Sequence, residues 1–464
     1  MRASGEGPVV IVGGGVGGLA AALALSRAGR RVVLLERDDV PLAGDPEAAF
    51  AVERHGAPQA HQTHGFLARV VVTLRERFPD VLDSLVAAGS RVISLTRELE
   101  GVEEGDDDLA VLIVRRTTFE WALRRSVLLE PNAEVRSSVA VAGLTAEHAP
   151  GGPPRVNGVV LDTGEVNAAG AVVACTGRRG ELQPWLEPFG VTVPEQSHPT
   201  GHLYITRWYR FTGDVDLELH TRLGGDLGWV KFLAVPGDGD TLSATMAVRT
   251  DDAELRTLLA DPDHFDTALR ALPGPAKLLA EVGAEPLGPV RPMAGLINRL
   301  RTFVDADGAP TVLGFHAVGD AHTCTNPLYG RGCSLAVVQA TLLADAFTAH
   351  PDDLAARARA YEAASAREVE PWFHSAVQLD QYKPGRSGSG GGDNPIARLM
   401  AAGVKDPVVS RAIIRVFNLL TRPEQLFTEP EFMARVAALL ADPTIQPPPV
   451  EGPTRAELLA RLAA

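Results

Sequence analysis

The residues best placed to do chemistry are a glycine run, Gly13-Gly14-Gly15-Val16-Gly17-Gly18, and the acid Glu36 that follows it. Apolar Val9-Val10-Ile11-Val12 leads into the run. A small-residue stretch, Leu19 to Ala28, leaves it, and a second apolar run, Arg31 to Leu35, ends in Glu36. That order predicts strand, glycine turn, helix, strand and acid, the layout by which a doubly wound sheet holds a dinucleotide. Gly13 permits the tight turn and Gly15 lets a pyrophosphate approach the backbone. Gly18 lets the helix pack on the strand, and the helix N-terminus offers free N–H donors to phosphate. Val16, Gly17 and Arg37 are assigned to the same cofactor site. Glu36 stands where a carboxylate accepts both ribose hydroxyls, which disfavours a 2′-phosphate there. A signal peptide or membrane span over Val9 to Leu25 is not expected, because glycines interrupt it and Arg2 alone is basic before it.

A second chemical segment lies far along the chain. It reads Phe315-His316-Ala317-Val318-Gly319-Asp320-Ala321-His322, then Asn326-Pro327-Leu328-Tyr329-Gly330-Arg331-Gly332, then a helix from Ser334 to Phe347. An apolar strand ending in Gly-Asp places a carboxylate at the carboxyl end of a sheet, where ligands bind in open α/β folds. The glycines after Pro327 open a helix whose amides can face an anion.

With both segments read, the chain resembles the FAD-dependent monooxygenases of the para-hydroxybenzoate hydroxylase fold. The resemblance implies that Asp320 holds the ribityl hydroxyls. It also implies that the Pro327, Gly330 and Gly332 turn borders the isoalloxazine N1–C2=O edge and steadies the charge of reduced flavin. Within that family the chain is most similar to actinobacterial epoxidases of polyether biosynthesis, relatives of squalene epoxidase. The matching pieces are Gly56-Ala57-Pro58-Gln59 with His64, Arg116-Thr117-Thr118-Phe119-Glu120-Trp121, Thr176-Gly177-Arg178 and Asn298-Arg299. Gln59, His64, Arg116 and Gly177 join the cofactor set on that resemblance, Arg116 as a contact to the flavin phosphate or ribityl chain. A cation at the start of a helix opposes the helix dipole, so a bound anion is expected there. Aromatic hydroxylases carry Asp-Gly where this chain has Thr176-Gly177. FAD is therefore the implied cofactor, with electrons from NAD(P)H or from a separate flavin- or ferredoxin-type reductase.

Carried over, the activity is insertion of one oxygen atom from O2 into a hydrophobic small molecule by epoxidation or hydroxylation through a flavin C4a-hydroperoxide, in secondary metabolism. The sequence shows no acid–base constellation, which suits alkenes better than phenols. An alkene reductase of the geranylgeranyl type and a flavin-containing cyclase without redox turnover are the alternatives. The Trp-x-Trp-x-Ile-Pro motif of flavin halogenases is absent.

The elements that position these residues form an α/β fold: a Rossmann-like FAD-binding domain, an antiparallel-sheet substrate domain of α+β type, and a helical C-terminal region. The expected division is 1–195 for the first part of the FAD domain, 196–287 for the substrate sheet, 288–345 for the second part and 346–464 for the helices. Residues 78–111 are candidates to join the substrate sheet. One helix is expected over Gly65 to Ala88. Alternation along His202 to Phe211 puts Tyr204, Thr206 and Trp208 on one face and Leu203, Ile205 and Tyr209 on the other. Tyr204, Thr206, Trp208 and Trp229 are the substrate candidates. Lys383 to Asp393 reads as a flexible loop.

The net charge of −14 argues against nucleic acid as a partner. The acidic run Glu98 to Asp108 reads as a solvated loop. Three cysteines without metal or disulfide spacing suit a reducing cytoplasm, and no metal site is expected at His55, His61 and His64. The C-terminal helices lack a dense basic face, so they are expected to pack on the body of the protein and make no membrane contact.

Overall fold

A computed structural model describes residues 7–41, 44–148, 151–213, 223–381, 395–426, 428–447 and 451–463. The Lys383–Asp393 loop lies outside the described residues. At the centre is a five-stranded parallel sheet in the order Phe315–Ala317, Ala171–Ala174, Val9–Val12, Val32–Leu35, Ala133–Arg136. Four of these strands are buried throughout, as parallel strands covered on both faces must be; Ala133–Arg136 lies at the edge. The helix Val16–Arg27 packs over one face beside Gly332–Ala349. Gly332–Ala349 has a mean hydropathy of 1.4 and is the one described helix long and apolar enough to cross a membrane, but 72% of it is buried inside the fold. Its apolar residues are core residues of this sheet's helical layer.

The second sheet is six-stranded and antiparallel, built around His202–Phe211 paired with Thr241–Arg249 from His202 opposite Arg249 to Arg210 opposite Thr241. Leu203, Ile205, Tyr209 and Phe211 point into a separate core. Helices Ala253–Leu258, Pro262–Leu269 and Pro275–Val282 cover that face, joined by Arg455–Leu462 from the far end of the chain. The last helix thus belongs with the second sheet, tied by Arg455 to Asp252 and Glu254 at 2.8 Å. The sheet also extends past residue 287, because Arg291–Met293 pairs with Tyr204–Thr206. A three-stranded sheet of Glu195–Pro199, Ile297–Arg301 and Thr323–Cys324 takes its strands from either side of the antiparallel sheet in sequence.

Three local readings are corrected. Residues 78–111 do not join the substrate sheet. Arg91–Ser94 pairs with Ala110–Ile113 as a two-stranded ribbon, and Leu112 bonds Phe66 and buries with the helices of the first core. The single helix over Gly65–Ala88 is two, Ala68–Arg77 and Pro79–Ala87. Pro79 has no N–H to continue the ladder, and Phe78 before it leaves the helical region at φ −142°. The acidic run is partly an internal docking site. Asp106 is buried and accepts from Arg411 Nε at 2.9 Å, while Arg411 Nη2 also reaches the Gly101 carbonyl. Helix Pro407–Phe417 is held there, with Val409 and Ile413 buried.

Candidate functional site

A cavity of about 410 Å³ opens at the carboxyl ends of the parallel strands, where the two chemical segments meet. Every cofactor position expected from sequence lines it except Gly18: Gly13, Gly15, Val16, Gly17, Glu36, Arg37, Gln59, His64, Arg116, Gly177, Asp320, Pro327, Gly330 and Gly332. The glycines divide by what a side chain would meet. At Gly13, φ is +108° and a Cβ would lie 2.4 Å from the Cys175 carbonyl oxygen. At Gly18 it would lie 1.8 Å from the Gly13 carbonyl oxygen, so this glycine serves helix-to-strand packing from behind the cavity wall. At Gly15 the nearest atoms are Arg116 Nη2 at 3.7 Å and Glu120 Oε1 at 3.8 Å. The space over Gly15 is therefore open on the cavity side.

Charged side chains form one continuous chain along the wall. Glu36 Oε2 accepts from the Gly14 N–H at 2.7 Å and from Arg54 Nη2 at 2.7 Å, and Oε1 accepts from the Asp38 N–H at 2.9 Å. Arg54 Nη1 donates to Glu120 Oε2 at 2.7 Å, and Arg116 Nε donates to Glu120 Oε1 at 2.9 Å. Burial would raise the Glu120 carboxyl, but Arg116 and Arg54 outweigh it and bring its pKa down to about 2. Arg116 Nη1 lies 3.0 Å from His64 Nε2, and His64 Nδ1 lies 2.9 Å from the Gln62 carbonyl oxygen. A guanidinium only donates, so Nε2 accepts and the ring proton sits on Nδ1. Burial and Arg116 together lower the His64 pKa to about 3, which keeps the ring neutral. Both of its nitrogens are committed, so His64 shapes the wall and takes no part as a base.

The donor set fits FAD. The Asp320 carboxylate lines the cavity with no hydrogen-bond donor among the described residues, and burial raises its pKa against Arg116, Arg178 and Arg299. Thr176 Oγ1 and Thr325 Oγ1 are buried without partners on the same wall. Acceptors and hydroxyls left unmet in a concave site are what a ligand rich in hydroxyls and phosphates would satisfy.

The substrate candidates lie elsewhere. Tyr204, Thr206 and Trp208 do face the cofactor domain, but none lines the cavity and all are spent on its loops. Tyr204 donates its hydroxyl to Asn326 Oδ1, Thr206 donates to Gln62 Oε1 at 2.6 Å, and Trp208 Nε1 donates to the His61 carbonyl at 2.7 Å. Trp229 sits on the opposite face, its Nε1 on the Pro453 carbonyl at 3.2 Å. The apolar lining near the turn comes instead from Met293 and Leu296, which pack with Tyr204 and Leu328. Sequence reasoning did not find Arg54, Met293 or Leu296. The Arg116–Glu120 spacing of four on a helix was the available signal for the ion-pair chain; Arg54 carries no local signal.

Behind the Pro327 turn, the Asp380 carboxylate accepts from Asn298 Nδ2 at 2.7 Å, Asn326 Nδ2 at 2.8 Å and the Tyr329 hydroxyl at 2.7 Å. A residue of the helix Glu370–Gln381 thereby fixes the turn that closes the cavity.

The lining of this cavity fits FAD, and the proteins to which the chain is similar include flavin-dependent enzymes. Residues 8–109 match the family model of the FAD dependent oxidoreductases. Protein Rv3254 of Mycobacterium tuberculosis is 27% identical over 89% of either chain. Among solved structures, the flavin-dependent brominase Bmp2 has a TM-score of 0.62 at 16% identity, covering 93% of this chain and 98% of its own. The Diels-Alderase PyrE3 of pyrroindomycin biosynthesis has a TM-score of 0.63 at 16% identity, with 90% and 81% covered. OxyS, the anhydrotetracycline hydroxylase of Streptomyces rimosus, has a TM-score of 0.57 at 20% identity, with 89% and 75% covered. At such identities the likeness establishes the fold, and the differing chemistry of the three leaves the reaction to be argued from the site.

Proposed function

We propose that the chain is a monooxygenase that inserts one oxygen atom from O2 into a hydrophobic small molecule of secondary metabolism. The observation that carries this reading is the convergence of the glycine turn, Asp320 and the Pro327–Gly332 turn on one cavity with Met293 and Leu296 at its lining. Bound FAD supplies the two-electron reduction and the activation of O2. The chain's own residues bind and orient. The N–H groups at the start of Val16–Arg27 face the pyrophosphate, with Arg116 as its nearby cation. Glu36, pinned by Gly14 and Arg54, presents its carboxylate to the ribose. Asp320 accepts from the ribityl hydroxyls, and the amides of the Gly330–Gly332 turn offset negative charge on the flavin edge. Neutral His64, with both ring nitrogens committed, supplies no base to deprotonate a phenol, in keeping with an electron-rich alkene as substrate.

A cyclase without redox turnover is the second reading, favoured by the likeness to the Diels-Alderase PyrE3. The test is purified FAD-loaded protein under 18O2 with NADH, NADPH or an added flavin reductase, screened against lipophilic alkenes and phenols. A product heavier by one labelled oxygen supports the monooxygenase. A product of unchanged mass formed without oxygen uptake supports the cyclase, and a product heavier by two hydrogens identifies an alkene reductase.

A further inference from the structure

A second cavity, about 280 Å³, lies outside the cofactor cradle between the helices Pro46–Ala51 and Arg116–Leu129. Val40, Ala49, Val52 and Leu128 give it apolar lining; Arg124 and Arg125 also line it, together with Arg54 and the carboxylates of Asp45 and Glu120, the latter already paired with Arg54 and Arg116. Arg124 is 8% exposed and makes no hydrogen bond or ion pair with the described residues. Its nearest carboxylate of consequence, Glu120, is already held by Arg54 and Arg116. Burial accordingly lowers the Arg124 pKa, with attraction to Glu120 and Glu36 and repulsion from Arg54 acting on it as well. The Arg124 guanidinium thus keeps its N–H donors for whatever fills the cavity. Arg125 stands next to it, exposed, its guanidinium 5.7 Å from the centre of the Trp121 ring.

We propose that this cavity is a binding site for a phosphate ester, with Arg124 and Arg125 holding the phosphate and the apolar lining holding the organic part. Two guanidiniums on one lining offer more donors than one carboxylate can accept, as the three terminal oxygens and near-double charge of a phosphate monoester require. At about 30 Å³ per water the cavity has room for roughly nine waters, enough for a phosphate and a small group but not for a whole dinucleotide. A larger ester extends through the mouth past Arg125. The site is separate from the reaction assigned above and does not depend on it.

The experiment is calorimetric titration of the FAD-loaded protein with inorganic phosphate, NADP+ and NAD+. Saturable binding of phosphate or NADP+, weakened at least about tenfold in Arg124→Gln with FAD content unchanged, supports the site. NADP+ binding more tightly than both phosphate and NAD+ identifies a nucleotide monoester as the source. Phosphate binding as tightly as NADP+ identifies a small free ester. Should Arg124→Gln not fold, Ala49→Leu fills the cavity from its apolar lining and is expected to cause the same loss. Absence of saturable binding by all three ligands, or binding untouched by both substitutions, overturns the proposal.

Discussion

Gly15 and Gly18 are chemically identical and three residues apart, yet the same substitution should fail in different ways. A side chain at Gly15 projects into the cavity with only ordinary contacts to Arg116 and Glu120. Gly15→Val should therefore fold with a melting temperature near that of the parent and lose FAD. Gly18→Val drives its Cβ into the Gly13 carbonyl and should compromise the fold itself. Flavin content and thermal melts of the two variants distinguish the outcomes; a Gly15→Val protein that keeps stoichiometric FAD sinks the glycine-turn reading. Asp320→Ala should weaken FAD by about tenfold or more, since a charge-assisted hydrogen bond contributes about 1.5–3 kcal/mol. His64 and Glu120 contribute to the acid limb of stability, beside His316, whose pKa burial likewise lowers to about 3. Both have native pKa values below their ordinary ones, about 3 against 6.5 and about 2 against 4.5. The unfolded chain then binds more protons than the native one, so stability is full above pH 6.5 and falls with pH through each window. The His64 part is lost between 6.5 and about 3, at no more than about 1.4 kcal/mol per pH unit. His64→Gln should reduce the decline seen in urea midpoints between about pH 7 and about pH 5, leaving the part due to His316 and the lower part due to Glu120. An unchanged slope in that range would place the acid sensitivity elsewhere.

At the scale of elements, the joint between the two domains rests on Asp238. Its carboxylate is buried in the loop after Val230–Pro236 and accepts from the Arg115 N–H at 2.6 Å, Arg115 Nη2 at 2.8 Å and Thr118 Oγ1 at 2.7 Å. It therefore caps the start of the helix that carries Arg116 and Glu120, where a negative charge also meets the helix dipole favourably. Asp238→Ala leaves Arg115 buried with only Glu47 as an anionic partner, and should cost about 3–5 kcal/mol in denaturant midpoint and weaken FAD through the displaced Arg116. This kind of contact also marks where sequence reading stops. The strand, turn, helix and acid at Val9–Glu36 were legible because their constraints are local: spacing, glycine at a positive φ, an apolar run. The alternation in His202–Phe211 was equally plain, and the division of faces follows it. What covers each face depends on partners more than a hundred residues away, Gln62 for Thr206 and Asn326 for Tyr204, and no period in the strand reveals them. Arg54 and Asp380 escaped for the same reason, whereas the break at Pro79 was a local signal masked by an otherwise regular apolar stripe.

On the scale of the whole molecule, the three cysteines of the chain, scattered as Cys175, Cys324 and Cys333, are all gathered on the wall of one cavity. They come from a central strand's end, from the small three-stranded sheet and from the first turn of Gly332–Ala349, so their meeting reports that the two separated halves of the cofactor domain are correctly joined. Burial holds the thiols protonated, Cys333 pushed up to about 12 and the other two also upward. The thiolate is the reactive form, so labelling is slow wherever the wall is closed. FAD filling the cavity should slow it further by the factor 1 + [FAD]/Kd, about a hundredfold at a hundred times Kd. Cys175, the most exposed of the three, should react first with a maleimide in flavin-stripped protein and be protected when FAD is restored. Mass spectrometry of the labelled chain reads each site separately. Protection of all three by FAD, reduced about tenfold in Asp320→Ala at the same FAD concentration, would tie the cofactor to this cavity without reference to turnover. Labelling rates indifferent to FAD at every cysteine would mean that the flavin binds elsewhere, and the proposed reaction would lose its seat.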